Sequence, residues 1–176
     1  MTFNTTSIPL IRAIKEKRIL IRNPLRPRQP VVEERHLLVT PEIDAMLDGY
    51  LHKGFFPAVA AETLIGVFTA GQLLVATRRM PGKKEAPDLE QVVNGQNEVW
   101  ALCVRRPRPG WRLLGRWYDR NQFVALRAWD KHHLAGHYEG AVREVIADWA
   151  SEFGAQSPRQ GNELRDYVGG VLNELE

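Results

Sequence analysis

Residues 98–131 carry three alternating runs, "EVWALCVRR", "GWRLLGRWY" and "QFVALRAWDK", joined by "PRPG" and "DRN". Strand side chains point alternately to two faces, so a period of two sustained over this length commits the region to sheet. Both joints have turn composition and are short enough for hairpins, so the spacing predicts an antiparallel three-stranded meander. Cys103 lies inside the first run and reads as a small core residue rather than a nucleophile. As the only cysteine it cannot form an intramolecular disulfide.

Helical signals flank the meander. Thr40 can cap, Pro41 suits a first turn and Glu42 favours the positive helix end. Ile43, Met46, Leu47, Tyr50 and Leu51 then recur at helical spacing, with Gly54 at a left-handed end, which predicts a helix over 41–53. After the meander, Tyr138, Ala141, Val142, Val145, Ile146, Trp149 and Phe153 trace one helical face that stops at Gly154. "IPLIRAIKEKRILI" reads as a short helix running into a strand. Ala58–Met80 begins as a helix, and its later part, "GQLLVATRR", fits helix or strand. The prolines of "PLRPRQP" exclude a helix or a central strand and mark a linker or basic arm. "MPGKKEAPDLEQVVNGQN" reads as a long connection, and residues 162–176 as a last helix weakened by Gly169 and Gly170.

The chain has 176 residues, room for one domain with appendages. No apolar run reaches the length of a membrane span, and the N-terminus lacks a basic-then-apolar signal pattern, so a cytoplasmic protein is expected. The net charge is only +3, but it is unevenly spread. Arg12–Arg35 holds eight basic and three acidic residues, Ala101–Arg143 nine and three, and Glu144 to the end two and seven. Such sorting concentrates positive potential, and a preference for arginine over lysine suits phosphate and base edges. An anionic partner, nucleic acid above all, is the expectation.

Strand parity turns that expectation into residues. On the second run Trp111, Leu113 and Trp117 oppose Arg112, Leu114, Arg116 and Tyr118. On the third, Val124, Leu126 and Ala128 oppose Phe123, Ala125, Arg127, Trp129 and Lys131. With Trp111, Trp117, Val124 and Leu126 packed under helices, Arg112, Arg116, Arg127 and Lys131 would share an open basic face bearing Trp129. On such a face, replacing Arg112 or Lys131 would barely alter stability. The plainer alternative is that these cations only solvate the outer side of a half-buried sheet.

"AWDKHHLAGHY" then raises the question of metal against acid and base chemistry. His133 and His137 are four apart, but Gly136 lies between them and no third ligand or HExxH pattern accompanies them, so no metal is expected. Imidazole can move protons without a metal, which makes His132 or His133, beside Lys131, a candidate acid or base. Capping and turn roles are the other reading of the same residues.

The order of two helices, a long connection, a meander ending in lysine and a closing helix resembles the RelE/ParE-like superfamily of bacterial toxins, particularly its phage-derived, HigB-like branch. The likeness is carried by "VWALCVRRPRPGWRLLGRWYDRNQFVALRAWDKHHL" and spans roughly residues 58–149. It implies an α+β fold, a small antiparallel sheet with helices packed on one face, as a core over 58–154; an N-terminal extension (1–57) and a tail helix (155–176) are expected outside it. It also implies metal-independent cleavage of mRNA, with no cofactor. Arg112, Arg116, Arg127 and Lys131 would stabilise the phosphorane, His132, His133 or Tyr138 would transfer protons, and Arg105, Arg106 and Trp129 would bind RNA. RNA, the ribosome and an antitoxin-like protein are the implied partners. The chain departs from the family in its greater length and in "HHLAGHY" after the lysine. A module that binds nucleic acid or protein without catalysis therefore stays open as the alternative.

Overall fold

The computed structural model describes residues 8–23, 30–51, 54–78, 86–92 and 97–175. Most of the proline-rich linker (24–29) and parts of the long connection (79–85 and 93–96) lie outside the described residues. The described elements are helices α1 (Ile8–Lys15), α2 (Pro41–Leu47), α3 (Ala58–Thr69), α4 (Lys131–Leu134) and α5 (Tyr138–Phe153). The strands are β1 (Leu20–Arg22), β2 (His36–Val39), β3 (Leu74–Thr77), β4 (Leu89–Gln91), β5 (Trp100–Val104), β6 (Trp111–Asp119), β7 (Gln122–Asp130) and β8 (Leu172–Glu174).

All eight strands form one sheet, ordered β1-β2-β7-β6-β5-β4-β3-β8. The expected meander, β5–β6–β7, is only its centre. Beyond it, β2 adds parallel to β7, and β3 pairs parallel with both β4 and β8, so the sheet is mixed and curls into a half-barrel. The expectation of a small antiparallel sheet with helices on one face is thereby corrected. The supposed extension supplies β1, β2 and α2 of the sheet and its cover. The supposed tail helix is a single 3-10 turn, Leu164–Asp166, followed by edge strand β8.

Helices cover both faces. On one side α2 and α3 pack Ile43, Met46, Ile65 and Phe68 against Trp100, Trp117 and Phe123, with Leu164, Tyr167 and Val168 closing that core. Rings stack tightly there, with Trp100 to Tyr167 at 4.8 Å and Trp117 to Phe123 at 5.0 Å. On the other side α1 and α5 place Leu10, Ala13, Val145 and Trp149 over Cys103, Leu114, Val124 and Leu126. Fully burying one large apolar side chain stabilises by about 1.5–3 kcal/mol, more than the ~1 kcal/mol of a typical cap. Packing of Tyr167 and its neighbours therefore overrides whatever helical preference the tail has.

The parity of β7 is not uniform. Leu114 pairs with Arg127 but Gly115 pairs with Ala125, which leaves Leu126 as an extra, bulged residue. Phe123 and Ala125 consequently lie on the Trp117 side, while Val124 and Leu126 lie with Leu114. This reverses the face assigned to those four residues by strict alternation. Beyond the bulge the phase resets, so Arg127 and Trp129 share the α5 side with Arg112 and Arg116.

Helix α2 starts as its sequence directs: Thr40 Oγ1 accepts from the Ile43 N–H and Pro41 opens the first turn. It ends at Leu47, six residues earlier than expected, because Gly49 takes the left-handed conformation (φ +75°). Tyr50 and Leu51, expected in the core stripe, are exposed instead.

Candidate binding cleft

The arginines expected on an open face lie under α5 or are paired. Arg112 is 6% exposed, and its Nε donates to Glu90 Oε1 at 2.8 Å. Burial disfavours its charge, but the charges around it, Glu90 among them, hold its pKa above the usual value. Arg116 lies 5.5 Å from the Trp149 ring centre and donates to the Asn97 carbonyl, and burial lowers its pKa. Arg127 donates from Nε and Nη2 to both oxygens of Asp148, at 2.5 and 3.0 Å, and pairs through Nη1 with Glu144 at 2.9 Å. Arg105 donates to the Pro87 carbonyl and pairs with Asp88. Two arginines of the more N-terminal basic stretch are likewise engaged. Arg22 meets Asp44, Asp48 and Glu62, and buried Arg35 is wrapped by the carbonyls of Phe68, Gln72, Gly169 and Val171.

Three of the exposed cations stand together at the β5–β6 hairpin and α4. Arg106, Arg108 and Lys131 are exposed and form no ion pair with a described residue. The hairpin joining β5 to β6 carries the two arginines, and the Lys131 N–H donates to the Gly110 carbonyl at 3.0 Å, which docks α4 beside that hairpin. The third strand ends at Asp130, so Lys131 is not its last residue but the first of α4. Asp130 caps α4 by accepting from the His132 N–H. His132 and His133 follow in the same short helix, both exposed, and Tyr138, half-buried, opens α5. Burial, reinforced by Glu90, pushes the Tyr138 phenol up, away from proton exchange near neutrality.

Between these elements lies a cleft of about 770 Å³. Phe55, Pro107, Pro109, Trp111 and Trp129 make its apolar wall, and Glu42, Arg108, Arg127, Asp130, His133 and Glu144 supply its polar groups. Phe55 is 95% exposed, while Trp111 is braced edge-to-face by Phe56 at 5.3 Å. The exposed Phe55 ring leaves an aromatic surface at the mouth of the cleft. Its size falls within the roughly 300–1,000 Å³ usual for ligand sites.

The cleft gathers Arg127, Trp129 and His133 from the expected set, with Lys131 beside it, and leaves out Arg112, Arg116 and Tyr138. Parity could not show Phe55, Arg108, Asp130 or Glu144, which come from separate elements. The dense "RRPRP" was the one sequence signal that could have marked Arg108. Among the described residues no group of three or more His, Cys, Asp or Glu side chains is placed to hold a metal ion. None of the described helices is long and apolar enough to cross a membrane. Cys103 is buried, and burial pushes its thiol well above the usual value, so it supplies no thiolate. Comparison of the chain with family models, with curated proteins and with solved structures returns no match.

Proposed function

We propose that the protein binds single-stranded nucleic acid, RNA in the first place, at this cleft and without cleaving it. The observation that carries the reading is the juxtaposition of three unpaired cations, Arg106, Arg108 and Lys131, with the exposed ring of Phe55 beside Trp111 and Trp129. Cations that track phosphates, next to aromatic faces that stack bases, are what a single strand requires of a protein. A duplex hides those base faces in its own stack.

Binding is favoured over the endoribonuclease activity that the toxin resemblance implies. Stabilising a phosphorane calls for donors aimed at the reacting phosphate, and Arg112 and Arg127 are already engaged by Glu90, Glu144 and Asp148. The test is a fluorescence-anisotropy titration of labelled single-stranded RNA against salt. Log affinity should fall linearly with log salt, and Arg108→Ala and Lys131→Ala should each reduce the slope by about one. Phe55→Ala should weaken binding by about 1–3 kcal/mol at every salt concentration. Affinity that ignores salt, or capture of a protein by the same Phe55 surface with no RNA affinity, would overturn the reading.

A further inference from the structure

We infer that the cleft selects unpaired bases that carry an exocyclic amino group, cytosine over uracil, with the base edge directed inward and the phosphates left on the rim. This rests on the nucleic-acid reading above and adds a specificity to it.

Arg106 and Lys131 sit on the β5–β6 hairpin and α4, outside the cleft lining, whereas the lining contains, together with Arg108, the carboxylates of Asp130 and Glu144. Arg127 does not offset them toward a ligand. Three of its nitrogens are committed, two to Asp148 and one to Glu144, so it acts as a brace that fixes Glu144 in the wall. Glu144 is engaged through Oε2, and Asp130 through Oδ1, which caps His132 and lies 3.9 Å from His133 Nδ1. One oxygen of each carboxylate is left without a partner among the described residues.

An ionised carboxylate only accepts hydrogen bonds. A phosphate entering the cleft would meet like charge, and so would the electron-rich O4 carbonyl of uracil. Cytosine presents an amino group at the same ring position, and Asp or Glu accepting from that amino group is a known mode of base reading. The two pyrimidines have the same ring framework, so stacking on Phe55 should favour neither strongly. The carboxylates are then the discriminating element, and the phosphates are directed out to Arg106, Arg108 and Lys131.

The decisive measurement compares ten-nucleotide oligocytidylate and oligouridylate with the intact protein at neutral pH and low salt. Oligocytidylate should bind about tenfold tighter or better, the effect of one charge-assisted hydrogen bond gained against one lost. Glu144→Gln should shrink that ratio towards one, because the introduced amide can donate to uracil O4, and Asp148 still holds Arg127. Asp130→Asn serves the same purpose if the first variant melts early. Equal affinity for both oligomers, or tighter binding of oligouridylate, overturns the selectivity while leaving the binding reading in place. Absence of salt-sensitive binding to either overturns both.

Discussion

The Gly170 N–H donates to Glu33 Oε2 at 2.7 Å, joining the start of the last strand to a residue 137 positions earlier in the chain. Arg120 and Asn121 hold the other carboxylate oxygen, so this one side chain links three distant segments. Gly170 has φ +78°, and a Cβ there would lie 2.6 Å from both the Gly71 carbonyl oxygen and Arg35 Nη2. Gly170→Ala should therefore destabilise by about 2–5 kcal/mol, combining left-handed strain with overpacking. Urea denaturation measures it, and a loss below about 0.5 kcal/mol would show that β8 is not held by this contact.

The same carboxyl makes stability depend on acid. The hydrogen bond from Asn121, then that from Gly170, holds Glu33 below its usual range, with Arg120 adding attraction. A depressed folded pKa contributes stability that is fully present above the unfolded value, near 4.5, and is lost as pH falls through the lower folded value. Glu33→Gln should be less stable than the parent at neutral pH, and the gap should narrow on acidification below about 4.5. Parallel stability curves for the two proteins across that window would contradict the assignment.

Arg112 and Lys131 carry the same charge in different settings. Arg112→Ala strands buried Glu90, and breaking such a pair costs about 3–5 kcal/mol. Lys131→Ala removes an exposed, unpaired side chain and should stay within about 0.5 kcal/mol. Thermal melting of the two variants side by side separates them. Equal melting temperatures would mean that Arg112 is not structural.

Gly115 sits at the bulge where β6 and β7 change register. A Cβ there would overlap the Val124 carbonyl oxygen and stand 2.7 Å from its carbon, both rigid backbone atoms. Gly115→Ala should cost about 1–3 kcal/mol or prevent folding altogether. A variant as stable as the parent would show that the strands can part at this point without loss.

Much of the local structure was legible in the sequence because its causes are local. Thr40 and Pro41 start α2 by capping chemistry, alternation marks β5, β6 and β7, and the stripe from Tyr138 to Phe153 is α5 from end to end. Each of these signals acts within a few residues. What covers a strand is not a local property. Arg112 and Arg116 alternate with apolar residues in the same pattern whether water or α5 lies above them, and only the docking of α5 decided that their face is closed. The phase of β7 depended on one extra residue, Leu126, whose bulge carries no period of its own. The cleft shows the same limit: Phe55, Arg108, Asp130 and Glu144 are scattered along the chain. Long-range pairing brings them together, because burying the two aromatic and aliphatic cores outweighs the local preferences of the segments that carry them.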